Sequence, residues 1–135
     1  MMKNPSTTSP LLLPLLLLIG IVSFSSTAHG QSKRNAGLIK ERRFQRLMQK
    51  KQAVLLDVRT PEEHKEGHIP GARLLNIQGP GFTDSLQTLD RNKTYLLYCR
   101  SAKRSQKAVN LMKERGFKNV YHLKGGFTQW NGSKE

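Results

Sequence analysis

Apolar residues along this chain come in short runs between polar and basic stretches, and the spacing inside each run sets the element it predicts. In residues 40–51 (KERRFQRLMQKK), Phe44, Leu47 and Met48 lie at i, i+3 and i+4, which predicts an amphipathic helix. Residues 53–58 (AVLLDV) are almost continuously apolar, as expected of a strand covered on both faces in a parallel sheet. Thr60-Pro61-Glu62-Glu63 opens a short helix: Thr60 caps it, Pro61 takes its first position, and Glu63 completes a capping box. Gly67 ends that helix, and residues 68–72 (HIPGA) turn into a second short strand over 73–77. Gly79, Pro80 and Gly81 mark a loop before a short helix over 83–89. A strand over 94–98 (TYLLY) runs into Cys99, and a loop over 100–104 precedes a helix over 105–115. The inner face of that helix is Ala108, Val109, Leu111 and Met112, and Gly116 stops it. A last strand covers 120–123, and Gly125-Gly126 leads into a helical turn carrying Phe127 and Trp130. Strands alternating with helices predict an α/β domain around a parallel sheet.

The first thirty residues stand apart from this pattern. Lys3 precedes an apolar run over 11–22 (LLLPLLLLIGIV), and a polar, small-residue stretch follows over 23–30. Such a run is short of the roughly 20 residues a membrane span needs. It has the form of a secretory signal cut after Gly30, or after Ala28, with an uncleaved anchor as the alternative. No cysteine follows closely, which excludes a thioether-linked lipid anchor. The expected organisation is therefore a signal over 1–30, a basic polar tail over 31–36 and one domain over 37–135. Export, to the periplasm in a bacterium, follows from that reading.

Composition narrows the chemistry. Of 135 residues, 23 are Lys or Arg and 9 are Asp or Glu, a net charge of +14 that becomes +13 if Lys3 is lost with the signal. A mature chain of 105 residues buries roughly 60–70% of its unfolded surface, enough for a single core. One cysteine excludes an intramolecular disulfide and a multi-cysteine zinc site. In an oxidising compartment a lone cysteine either pairs with another molecule or is a reactive thiol.

Cys99 sits between a strand and a helix, the edge of an α/β sheet where ligands bind. In Cys99-Arg100-Ser101-Ala102-Lys103-Arg104-Ser105 the chain curls into a helix N-terminus, whose free N–H groups attract an anion. Arg100, Lys103 and Arg104 add positive charge, and such a field favours the thiolate, the nucleophilic form. A buried structural cysteine is the ordinary alternative; three cations within five residues weigh against it.

Four segments together resemble the rhodanese-like sulfurtransferases over residues 40–130, in particular the small, single-domain exported type. They are Leu56-Asp57-Val58-Arg59-Thr60-Pro61-Glu62-Glu63, Gly67-His68-Ile69-Pro70-Gly71-Ala72, the loop Cys99 to Ser105, and Gly125-Gly126-Phe127-Thr128-Gln129-Trp130. The resemblance implies a sheet of about five parallel strands with helices on both sides. It further implies a persulfide cycle on Cys99, with Arg100, Ser101, Ala102, Lys103, Arg104 and Ser105 forming the substrate loop. Thiosulfate would be the donor, cyanide or a thiol the acceptor, and the protein a monomer needing neither metal nor organic cofactor. One departure stands out: the family loop usually has Gly where this chain has Ala102. If that residue adopts a left-handed conformation, its Cβ costs roughly 1–2 kcal/mol.

Asp57 ends a core strand, where it either orients the loop amides or Arg104, or makes local hydrogen bonds only. Arg59 reads as a structural ion pair and His68 as a turn histidine satisfying backbone groups, while His64 and His122 share no metal-ligand spacing with it. Three other functions compete. A cysteine phosphatase uses a similar turn but needs C-x5-R, whereas Cys99 to Arg104 is C-x4-R. A sulfur carrier or binding module would keep the loop without fast turnover. The basic cluster from Lys33 to Lys51 suits an anionic surface; export argues against a nucleic acid, and a solvated basic face is the ordinary explanation.

Overall fold

The computed structural model describes residues 36–135. The signal read over 1–30 and the tail residues 31–35 lie outside them. In chain order the elements are β1 (Leu38–Ile39), α1 (Glu41–Met48), β2 (Ala53–Asp57), α2 (Pro61–Glu66), β3 (Arg73–Leu74), α3 (Phe82–Gln87), β4 (Thr94–Tyr98), α4 (Lys103–Glu114) and β5 (Asn119–Leu123), followed by a 3-10 turn at Phe127–Gln129. The five strands form one sheet in the order β1-β5-β4-β2-β3, and every pairing is parallel. The expected α/β architecture, with about five parallel strands and helices on both faces, is the one found.

Alternation along the central strands divides the core in two. Leu55, Leu96 and Tyr98 face α1, where they pack with Phe44, Ile69, Leu123 and Trp130. Leu56, Tyr95 and Leu97 face α3 and α4, where they meet Leu86, Ala108, Val109 and Met112. Residues Tyr95 to Tyr98 of β4 are at most 1% exposed. Burial at about 1.5–3 kcal/mol for each large side chain makes this strand the rigid axis of the domain. Register sets Asp57 against Tyr98 and Leu97 against His122, so polar side chains collect at the carboxyl ends of β2, β4 and β5.

Beyond shifts of a few residues at element ends, the structure departs from the pattern reading at three places. Strand β1, with two residues, is too short to show a periodicity. The strand expected over 73–77 pairs only at Arg73–Leu74: the Asn76 side chain accepts from the Gln78 N–H, and the Gly79 N–H bonds Asn76 O, so the chain turns there. Helix α4 starts at Lys103, two residues earlier than expected, which puts Lys103, Arg104 and Ser105 in its first turn. The capping box at Thr60 and Glu63 forms as expected.

Candidate active site

Cys99 follows β4 directly and is 1% exposed, packed in the apolar cluster beneath α4. Two exposed residues, Arg100 and Ser101, carry the chain to Ala102. Ala102 has φ 77° and ψ −9°, the left-handed region, and is the only non-glycine with positive φ among the described residues. This sharp turn lets α4 begin immediately and leaves its N-terminus without a side-chain cap. Among the described residues, the backbone N–H groups of Arg100 through Ser105 donate to no protein acceptor. Such a run of open donors at the positive end of a helix is an anion cradle.

The terminal glycine motif holds this loop in place. Phe127 N–H donates to Cys99 O at 2.7 Å, and Thr128 donates to Arg100 O through both its N–H and its hydroxyl. Gly126 has φ 61°, and a Cβ there would stand 2.5 Å from both the Cys99 and the Arg100 carbonyl oxygens. Only glycine permits that approach.

Behind the loop, Cys99 Sγ lies 3.5 Å from Ser105 Oγ. Ser105 Oγ lies 2.9 Å from His122 Nδ1, and His122 Nε2 lies 3.2 Å from Gln106 Oε1. Ser105 is fully buried and His122 is 1% exposed. Burial, with a small contribution from the charge of Lys113, pulls the His122 imidazole down to about 4, so it is neutral at ordinary pH.

On the other side of β4, Asp57 is fully buried. Its carboxylate accepts from Arg59 N–H, Nε and Nη2, from His64 Nδ1 and from the Tyr98 hydroxyl. Burial pushes Asp57 up, but the hydrogen bonds from Arg59 and His64 outweigh it and hold the carboxyl below its ordinary value. Burial also raises the Tyr98 phenol. Of the two roles open to Asp57, the geometry is that of local hydrogen bonding: it touches neither the loop amides nor Arg104. Arg59 forms the ion pair expected of it and lies 4.2 Å over the Phe127 ring. His68 bonds the His64 carbonyl and stacks on the His64 ring.

Arg104 does not point its charge at the cysteine unopposed. Its Nη1 and Nη2 donate to the two Glu63 oxygens at 2.6 and 2.7 Å. These bonds bring the Glu63 carboxyl down to about 2. Arg100 and Lys103 are exposed and have no acidic partner among the described residues. Arg100 shares a cleft of about 390 Å³ with Arg59, Glu63, Glu66, Gly67, Phe127 and Thr128. No group of three or more His, Cys, Asp or Glu side chains gathers among the described residues to hold a metal ion.

Sequence reasoning missed three participants. Glu63 reads as a helix cap, which it is, but it also binds Arg104 across 41 positions. Gly126 reads as a turn, with no sign of the carbonyls it meets. His122 had a usable signal: it shares the inward face of β5 with Val120, and a polar residue facing the core needs a partner.

This geometry is accompanied by close likeness to known proteins. Residues 41–133 match the rhodanese-like domain, and the chain belongs to that family. A putative sulfurtransferase of Bacillus subtilis, YtwF, is 40% identical over 78 residues, covering 58% of this chain and 73% of the relative. The thiosulfate sulfurtransferase GlpE of Pseudoalteromonas translucida is 31% identical over 84 residues, 62% of this chain and 78% of that one. The match to Bacillus subtilis YqhL, at 38% identity, spans 61% of this chain and 64% of the relative. Among solved structures, a rhodanese-like domain protein from Staphylococcus aureus superposes with a TM-score of 0.62 at 28% identity, over 71% of this chain and 92% of its own. The Alr3790 protein of Anabaena superposes with a TM-score of 0.64 at 26% identity, over 72% and 81% of the two chains. Relatives named as sulfurtransferases make sulfur transfer the class of chemistry to consider.

Proposed function

We propose that this protein is a sulfurtransferase that carries a sulfane sulfur on Cys99. The observation that carries the reading is the run of six open amides from Arg100 to Ser105, following the cysteine at the head of α4. The Cys99 thiolate attacks the outer sulfur of thiosulfate. A bond forms between Sγ and that sulfur, the bond to the sulfite sulfur breaks, and sulfite leaves with the electron pair. The persulfide keeps one negative charge, which the amides receive. Cyanide or a thiolate then takes the terminal sulfur and restores the Cys99 thiolate, a ping-pong cycle. Arg100 and Lys103, without an acidic partner among the described residues, are the cations for an anionic donor, while Arg104 serves mainly to fix α2 against α4. No metal or organic cofactor enters these steps.

Intact mass after incubation with thiosulfate tests the reading. The expected result is a gain of one sulfur, removed by cyanide and absent in Cys99→Ser. Loading that persists in Cys99→Ser, or no loading in the folded native protein, overturns it. A second reading, a sulfur carrier without rapid turnover, is favoured by the burial of Cys99. It predicts the same mass gain with slow release to cyanide. Export and a monomeric state belong to this proposal as well. No helix among the described residues is long and apolar enough to cross a membrane.

A further inference from the structure

The polar groups behind Cys99 run in one direction. The Gln106 amide nitrogen donates to Ala36 O and Asn110 Oδ1, both at 3.2 Å, so its oxygen is the atom facing His122. The neutral imidazole therefore carries its proton on Nε2, donates it to Gln106 Oε1, and offers Nδ1 as an acceptor. Only the Ser105 hydroxyl can donate to Nδ1. It does so at 2.9 Å in preference to Ala102 O at 3.2 Å, and turns a lone pair toward the Cys99 S–H.

We infer that His122 is a positioning residue for Cys99, receiving the thiol proton through Ser105. The inference rests on Cys99 being the nucleophile. In the step, the S–H proton passes to Ser105 Oγ as the serine proton passes to His122 Nδ1. The O–H bond that results points at the thiolate, and an imidazolium stands behind it. No atom or charge enters or leaves. Groups facing His122 are Cys99 at the end of β4 and, on α4, Ser105, Gln106 and the positive Lys113; β1 offers no titratable side chain, and its flank supplies only the Gly37 carbonyl, bonded by the His122 N–H. The Cys99 charge also acts on Arg104, less than Glu63 does. Near neutral pH burial keeps His122 from holding a proton taken from solvent, so there the imidazolium exists only opposite the thiolate.

The alternative is that His122 merely locks the Ser105 hydroxyl away from the sulfur, and the two roles have opposite signs. The test follows the thiolate by its ultraviolet absorbance against pH in the full chain, using the difference from Cys99→Ser. His122→Asn keeps an acceptor near Nδ1 but takes no proton, and Ser105→Ala cuts the relay without touching His122. Each is expected to move the Cys99 titration upward by about one pH unit. An unmoved or lowered titration in the folded variants overturns the inference, and either variant alone suffices if the other does not fold. The readout is independent of sulfur transfer. A shifted titration with no sulfur loading would sink the sulfurtransferase reading alone, and normal loading with an unshifted titration would sink the relay alone.

Discussion

The cluster around Asp57 and the cluster around Cys99 lie on opposite faces of the sheet, one position apart in register, yet they are finished differently. Around Asp57 no buried side-chain N or O atom lacks a partner, and the carboxylate binds the Arg59 guanidinium, the half-buried His64 imidazole and the Tyr98 phenol. Around Cys99 a run of amides stays open, one residue is held in a left-handed conformation, and the buried polar chain ends on a thiol. The first arrangement fixes the ends of β2 and β4 and the entry to α2. The second leaves backbone donors without a protein acceptor among the described residues. A hydrogen-bonded cluster beside an open one gives the loop after Cys99 a rigid support.

That contrast is open to direct attack. The largest effect is expected from Asp57→Asn, which leaves the Arg59 guanidinium buried without its counter-charge. It should cost about 3 kcal/mol in urea unfolding, while the Cys99 thiolate titration stays in place. A Cys99 titration that moved with Asp57 would mean the clusters are one network.

Acid should act on the other cluster. In a Cys99→Ser background, where no thiol titrates, His122 has a folded value near 4 against 6.5 when unfolded. Between these values the unfolded chain binds a proton that the folded chain refuses. Stability is therefore complete above about pH 6.5 and falls as the pH drops toward 4, by about 3 kcal/mol in total. The same scan with His122→Asn should lose that segment of the curve.

Gly126→Ala should be next, at about 2 kcal/mol from the positive φ and two carbonyl contacts. Unlike Asp57→Asn, it should also lower sulfur loading on Cys99, because the atoms it strikes belong to the loop. The smallest effect should come from Ala102→Gly. Relief of the left-handed alanine, less the extra freedom of glycine in the unfolded chain, should stabilise the protein by about 0.5–1 kcal/mol. Differential scanning calorimetry would read this as a higher Tm.

Much of the frame was legible from local pattern. Alternation of strands and helices, the Thr60–Glu63 capping box, the strand over 94–98 and the placing of Cys99 at a strand-to-helix turn all follow from residues a few positions apart. The conditional reading of Ala102 was legible too, since a φ of 77° is what its glycine-like position requires. The pairings of the charged and polar residues were not. Arg104 stands in the sequence as one of three loop cations, and folding neutralised it with Glu63 while Arg100 and Lys103 have no acidic partner among the described residues.

Sequence alone determined the order of the elements, the class of the domain and the place of the cysteine sulfur at a strand-to-helix turn. These depend on hydrophobic period, caps and turns, which act within a turn of helix or a strand. The tertiary structure decided which groups face that sulfur. Ser105, Gln106 and His122 meet across 16 or 17 positions, and Gly126 reaches the Cys99 carbonyl only because β5 lies against β4. Hydrogen bonds between distant segments take their partners from packing, and packing is a property of the whole chain at once.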